Sequence, residues 1–566
     1  MKNKQKIVDW LKIPKVYTTI ILVLTIIALN IFVTKDGIVH GGDLEFHINR
    51  IYEISENLKS GDVLSLTYSQ TEGYGSGIFY PQIFLYIPAI LVLIGVDLVV
   101  SYKIFIIICN IANVLVTYIC VKKLIQSRKI AIFTTVLYST CCYRFAVTYW
   151  IAAIGTLESF VFVPIVVLGL YEIFYGDSKK WYILTIGITG LIYSHLLSFV
   201  IIVVFLCLPI FIINLRDIFR EKERIKCFLY SIIFTILLTA AFVCGFLEQM
   251  IKYDFYLDTI NANLDMSIYT VPFPFNIIGI YDNDYNEELE CNVFGEMGVG
   301  LAIFVVSIMF FVLNKKQKIF DNEKNKFINK LFILATIYVL IISIEVIWKY
   351  VGIFNLIQFQ FRLQLINSFV FSLIAACVLS LSFNKKYVKD IFALFLILEI
   401  VWNFCYVEKF LYNDNNIIKG INYLKNKGSG MEYIPAAIDY VQLNEVNDFP
   451  IANNNIENIF YKEGKEYVLK YDNNYYEDTI VKLPLYYYEG YEIVGNDNDC
   501  KITNSESGYL EVLVSGQEGE IKIKYEGTNI LKIGYIVSII TYSGVFLIIL
   551  LNKSQKAKNY KNVTKK

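Results

Sequence analysis

The sequence predicts an all-α polytopic membrane protein of about 12 transmembrane helices, with a small α+β, β-sandwich-like domain before the last helix. Three observations predict it. The first is composition: of 566 residues, 56% are hydrophobic and 18% charged, with mean hydropathy +0.51. Soluble domains average about 45–50% apolar and about 25% charged, so disordered, collagen-like, coiled-coil and small disulfide classes are excluded. The second is a series of apolar runs near the roughly 20 residues that cross a bilayer core. The third is one polar segment, 408–529, with 21 acids against 11 lysines, whose end alternates apolar and polar residues as antiparallel strands do. The chain carries 51 Lys+Arg against 51 Asp+Glu, without the basic excess of a nucleic-acid binder.

The expected spans are Tyr17–Val33, Tyr102–Val121, Ile130–Trp150, Ser159–Tyr175, Trp181–His195 and Leu197–Leu215. They continue with Ile225–Leu247, Gly298–Leu313, Leu331–Trp348, Leu363–Phe383, Val388–Val407 and Ile530–Leu551. The run Ile78–Val96 holds Pro81 and Pro88 and is read as a part-depth helix. That choice places every basic loop on one side, as the positive-inside rule requires. These are Lys2/Lys4/Lys6, Lys122–Lys129, Lys179/Lys180, Arg216–Lys226, Lys315–Lys330, Lys385–Lys389 and Lys553–Lys566. Both termini are then cytoplasmic, in a plasma-membrane protein with its large polar domain outside. Trp10, Trp150, Trp181, Trp348 and Trp402 fall near span ends, forming the expected aromatic belt. The first apolar run has no small-residue cleavage site and reads as a retained anchor.

The domain plan follows. Residues 1–407 form the membrane domain, including a first outer loop at 34–101. Residues 408–529 form the extracytoplasmic domain, 530–551 the last span and 552–566 a basic tail. Strands are expected at Tyr509–Val514 and Glu520–Tyr525. Nine of the eleven cysteines lie in apolar runs, where Cys acts as a small hydrophobe. Only Cys291 and Cys500 lie in polar stretches, so no disulfide is indicated.

Candidate chemistry begins at Gly41-Gly42-Asp43-Leu44-Glu45-Phe46-His47-Ile48-Asn49-Arg50. Leu44, Ile48, Ile51, Ile54 and Leu58 recur at helical spacing, with Asp43 at the N-cap. Asp43, His47 and Arg50 then share one face. A capped helix with a polar face explains the same spacing about equally well. The three histidines, His40, His47 and His195, all fall at the outer boundary. The spacing of His40, Asp43 and His47 matches no standard metal motif, so no metal ligand is assigned and the cofactor is left open. Arg144, Glu158 and Arg362 arrive at the same boundary as His195. Ionisable residues there are costly and often functional, and the guanidinium fork suits the phosphate of a lipid-linked substrate. Arg50, Arg144, Glu158, His195 and Arg362 are therefore candidate substrate or phosphate binders, and Asp43, Glu45 and His47 candidate catalytic groups.

These segments resemble the YfhO-like bacterial membrane proteins, within the broader GT-C glycosyltransferase class. The resemblance is carried by Gly42–Arg50, Gly73–Pro81, Tyr143-Arg144 with Gly155–Glu158 and Pro164, Tyr193–Leu196, Gln358–Gln364 and Leu483–Tyr491. It implies a GT-C-like fold and sugar transfer from a polyprenyl-phosphate donor to a cell-envelope glycan acceptor, on the non-cytoplasmic face. It also implies that Asp43 is the general base or acceptor-orienting carboxylate, with Arg50, Arg144 and Arg362 on phosphate. The adjacent Asp-Glu pair common in that class is absent, because Leu44 separates Asp43 from Glu45. In the outer domain, Tyr486–Tyr491 offers either ring faces for sugar stacking or a packed lid. Two rival functions remain: a transporter or flippase for lipid-linked or polysaccharide substrate, and a non-catalytic envelope-assembly protein. A transporter would place ionisable groups at the midplane and show internal repeats. No convincing repeat is found.

Overall fold

The structure is a computed structural model. It describes residues 13–563 except 40, 64–65, 67–72, 258–269, 272, 279–284, 287–290, 293–296, 315–319, 382–385, 412–416, 419–430, 439–455, 474–477, 497–499, 504–506 and 516. His40 and most of the Asn-rich first half of the polar segment lie outside the described residues.

The chain is a multi-pass membrane protein. Eight of the twelve expected spans are helices long and apolar enough to cross, among them Leu98–Ile125, Ile154–Phe174 and Lys222–Lys252. The expected Ile130–Trp150 span is a bent pair, Arg128–Ser139 and Cys142–Trp150, meeting at 47°. The other three are corrected, the first in position and the other two in length. Tyr17–Val33 is the 17-residue helix Pro14–Asn30, Trp181–His195 the 13-residue Tyr182–Ser194, and Gly298–Leu313 the 14-residue Leu301–Asn314. Apolar run length overestimates a helix whenever the run continues into a turn. The Ile78–Val96 run contains only the short apolar helix Ile83–Leu93, about 16 Å at 1.5 Å per residue and too short to cross.

The chain divides into two compact units. The first comprises Met1–Ser55, Ile83–Phe228 and Asn263–Gly430. Its centre is Gln364–Leu379, every residue of which is buried. It packs on Arg128–Ser139, Leu301–Asn314 and Asn322–Ile342. Leu98–Ile125 packs on Arg128–Ser139 and Ile154–Phe174. By contrast, only 17% of the Tyr387–Lys409 window is buried inside the protein, so that helix is peripheral. With no water in the apolar layer, polar groups must pair internally. Asn110 Nδ2 accordingly donates to Asn30 Oδ1 at 2.8 Å, and Asn113 Nδ2 to Ser139 Oγ at 3.0 Å. Glu399, on Lys386–Leu411, accepts from the Ala302 N–H at the start of Leu301–Asn314.

The second unit comprises Glu56–Gln82, Leu229–Ala262 and Met431–Lys566. Its strands are β1 Ile456–Glu463, β2 Glu466–Asn473, β3 Thr479–Tyr486, β4 Tyr491–Asn496, β5 Lys501–Thr503, β6 Tyr509–Val514 and β7 Glu518–Tyr525. They form an antiparallel four-stranded sheet, order β1-β2-β7-β4, and a three-stranded sheet, order β3-β6-β5. The two strands expected from alternation are β6 and, two residues longer, β7. Their alternating apolar residues Leu510, Val512, Val514, Ile521 and Ile523 are fully buried. Two sequence segments meet in this unit. Phe79 stacks on Tyr433 at 4.4 Å and lies 5.6 Å from Tyr488, and Tyr80 OH donates to Glu432 at 2.6 Å. Tyr486, Tyr488 and Tyr491 are at most 7% exposed. Their rings are packed in the core, whereas Tyr487 is half-buried.

Candidate functional site

All the candidate site residues belong to the first unit. The helix Leu44–Lys59 starts directly after Asp43, whose carbonyl accepts the His47 N–H at 3.1 Å. At 100° per residue, Asp43, His47 and Arg50 fall within a 60° arc, whereas Glu45 points to the opposite side. The helix thus brings together three of the predicted residues and separates Glu45 from them.

The position of Asp43 is fixed by the bent pair. Cys142–Phe145 continues into a π-type turn, Ala146–Trp150. Here Ile151 N–H reaches back to Ala146 O, and Ala153 N–H to Val147 O. This wider ladder leaves the next carbonyls available. Trp150 O accepts from Gly42 N–H at 3.1 Å, and Ile151 O from Asp43 N–H at 2.7 Å. The clip is tight: a Cβ on Gly41 would lie 2.6 Å from Ala152 Cβ. Ala152 itself is left-handed, at φ 56°. For a non-glycine residue that costs about 1–3 kcal/mol and persists only when its surroundings enforce it.

His195 lies in the break between Tyr182–Ser194 and Leu196–Ile202, in extended conformation. Its ring caps the second helix. Ser198 N–H donates to His195 Nδ1 at 3.3 Å, and Ser198 Oγ is 2.8 Å away. A backbone N–H can only donate, so Nδ1 is the acceptor and the neutral ring carries its proton on Nε2. Gly155 makes the approach possible. A Cβ there would sit 2.8 Å from Ser194 O and 3.0 Å from His195 Cβ.

Arg362 rides on a sharply strained loop. Gln358 has φ 59° and ψ −54°, and Phe359 N–H bonds to Ile357 O at 2.7 Å, closing a γ-turn of the rare positive-φ hand. Arg362 Nη2 donates to Gln358 Oε1 at 2.9 Å, and its guanidinium carbon lies 5.5 Å from the Phe359 ring centroid. Among the described residues, three non-glycines have positive φ: Gln126, Ala152 and Gln358. The first is a helix C-cap, the second follows Ile151, whose carbonyl accepts from Asp43, and the third bonds Arg362.

Electrostatic reach links Arg50, His47, His195, Glu158 and Arg362 pair by pair. The Arg50 charge acts on His47, His195 and Glu158, and the Arg362 charge acts on His195. Glu158 is 6% exposed and makes no hydrogen bond or close ion pair among the described residues. Burial, reinforced by the Arg50 charge and then by His195, holds the His47 imidazole well below its ordinary 6.5. His47 Nδ1 is buried without a hydrogen bond. Arg144 is a separate case. It is 1% exposed, and its guanidinium donates to Asn110 Oδ1 at 2.5 Å and to Ser139 O at 3.3 Å. Among the described residues, no group of three or more His, Cys, Asp or Glu is placed to hold a metal ion.

Sequence reasoning missed Gln358, Ser198 and Asn110. The interruption of an apolar run by Ser194-His195 hinted at the break. Nothing in the local pattern announced the γ-turn or the pairing of Asn110 with Arg144.

No curated protein sequence matches the chain. Among solved structures, the archaeal oligosaccharyltransferase AglB from Archaeoglobus fulgidus, in complex with an inhibitory peptide and a dolichol-phosphate, aligns at 13% identity and TM-score 0.39. The alignment covers 70% of this chain and 56% of that one, so the chain spans little more than half of that protein. ArnT from Cupriavidus metallidurans, bound to undecaprenyl phosphate, aligns at 9% identity and TM-score 0.40, over 72% of this chain and 74% of its own. Scores of this size assign no activity. Residues 4–256 match the model of a family of unknown function, DUF6541, a stretch that holds every candidate site residue except Arg362.

Proposed function

We propose that the chain is a membrane glycosyltransferase. It moves a sugar from a polyprenyl-phosphate donor to a cell-envelope acceptor on the non-cytoplasmic face. The carrying observation is that the Arg50 and Arg362 charges both reach the His195 ring and the Arg50 charge also reaches Glu158, while Asp43 shares a helix face with Arg50. Two guanidinium groups and a fixed Nε2–H donor suit a phosphate monoester or diester. The apolar helices around them suit its lipid chain.

In this reading the acceptor hydroxyl oxygen bonds to the anomeric carbon as the bond from that carbon to the phosphate oxygen breaks. The electron pair stays on phosphate, where Arg50, Arg362 and His195 Nε2–H stabilise it. Asp43 takes the hydroxyl proton, the role implied by the motif resemblance. Its backbone clip to Trp150 and Ile151 fixes where the residue sits at the start of the helix. Glu158, near Arg50, is suited to a sugar hydroxyl. Arg144, engaged with Asn110 and Ser139, supports the site from inside the helices. The one-sided basic loops support an outward site and cytoplasmic termini. The finer resemblance to YfhO-like proteins belongs to the same reading.

The test is the glycan composition of a deletion strain complemented with wild type or with Asp43→Asn at equal membrane abundance. Wild type is expected to restore a missing sugar and the variant to leave it missing. Restoration by both would remove Asp43 from the chemistry and favour the transport or assembly readings.

A further inference from the structure

Gln358 belongs to no group assigned above, yet it has the least favourable backbone near the site. Its φ of 59° and ψ of −54° fall in a region that side chains avoid, and glycine would sit there freely. The strain does local work. The γ-turn closed by Phe359 N–H and Ile357 O reverses the chain within three residues. The Gln358 amide thereby returns to Arg362, which follows Phe359 through the bond from Arg362 N–H to Phe359 O at 3.2 Å. Arg362 can only donate, so the amide oxygen is the atom that faces it, at 2.9 Å. Below the guanidinium lies the Phe359 ring, itself stacked on Phe361 at 5.3 Å and 9°. One Nη atom is held in the guanidinium plane while a ring bounds its face. Both restraints bear on the direction of the fork.

We propose that Gln358 is a positioning residue: its strained γ-turn and amide oxygen hold the Arg362 guanidinium ready for an anionic substrate group. This rests on the reading of Arg362 as a phosphate ligand. A preorganised fork binds more tightly than a free one, because less rotamer freedom is lost on binding.

The experiment measures binding of undecaprenyl phosphate to the full chain in nanodiscs, alongside melting temperature. Wild type, Arg362→Ala, Gln358→Gly, Gln358→Asn and the double variant Gln358→Gly/Arg362→Ala are compared. Glycine removes the strain and the amide together. Asparagine tolerates positive φ but is one methylene too short to reach. Both single Gln358 variants are expected to melt no lower than wild type and to bind about tenfold more weakly, the scale of one charge-assisted hydrogen bond. The double variant is expected to bind no more weakly than Arg362→Ala alone. Undiminished binding by both Gln358 variants overturns the positioning role while leaving the functional reading intact. A further tenfold loss in the double variant also overturns it, because Gln358 would then act independently of Arg362. Absence of wild-type binding, or undiminished binding by Arg362→Ala, overturns the reading of Arg362 and the proposal with it.

Discussion

Arg144 and Arg362 are both arginines beside a helix end in the same unit, and they are held in opposite ways. Arg144 is enclosed: 1% exposed, bonded to Asn110 and to the Ser139 carbonyl, with its guanidinium carbon 5.8 Å from the Phe160 ring centroid. Through Asn110 it is linked onward to Asn30. It ties Leu98–Ile125 to the bent pair and to Pro14–Asn30. Arg362 is half-buried and steered by a strained loop and one amide. The difference shows how the same side chain serves two ends. Where the surroundings supply acceptors from several helices, the cation is spent on the fold. Where the backbone is strained beside it, a side-chain amide four residues earlier shares in orienting the cation.

The sharpest way to break this comparison is to remove each arginine. Arg144→Ala empties a large buried volume and strands the Asn110 oxygen. About 3 kcal/mol of stability is expected to go, seen as a large fall in melting temperature in detergent. Arg362→Ala is expected to change stability by less than about 1 kcal/mol. Equal falls would erase the distinction. A second test concerns the packing that places His195. Gly155→Val drives side-chain atoms into Ser194 O, and about 2 kcal/mol of destabilisation is expected from overpacking. A wild-type melting temperature would mean that the break at His195 shifts at no cost.

The third and smallest effect is in pH. The folded His47 ring resists protonation because of burial and Arg50, while the unfolded ring takes a proton near 6.5. The stability tied to this ring is therefore complete above about pH 6.5. It declines as pH falls from there toward the lowered folded value, by at most about 1.4 kcal/mol per unit. Between pH 7.5 and 5.5, wild type is expected to lose more thermal stability than His47→Gln. Parallel losses would show that His47 does not hold this linkage.

Much of this was legible in the sequence, and the limits have physical causes. Apolar runs located the eight crossing helices, the bent pair and three shorter helices, because hydropathy is a local property. They misplaced the first by three residues and overran Tyr182–Ser194 and Leu301–Asn314, because a run does not reveal where the backbone turns. The Asp43, His47 and Arg50 face followed from helical periodicity alone. The opposite placement of Glu45 was available from the same arithmetic. Strands β6 and β7 followed from alternation with period two. The use of His195 as a helix cap, the Asn30–Asn110–Arg144 chain and the Gln358 γ-turn were not legible. Each depends on pairing or dihedral angles that residue type does not specify. Arg144 and Arg362 looked equivalent in sequence for the same reason.

The contact between Glu399 and Ala302 bears on how the chain enters the bilayer. Leu301–Asn314 rises about 21 Å, short of the about 30 Å apolar layer. An end stopped at depth would leave amide protons facing hydrocarbon, a cost of several kcal/mol per group. A carboxylate from a neighbouring helix supplies the missing acceptor. Glu399 thus caps the N-terminus of a helix other than its own, so Lys386–Leu411 and Leu301–Asn314 are joined by a polar bond as well as by packing.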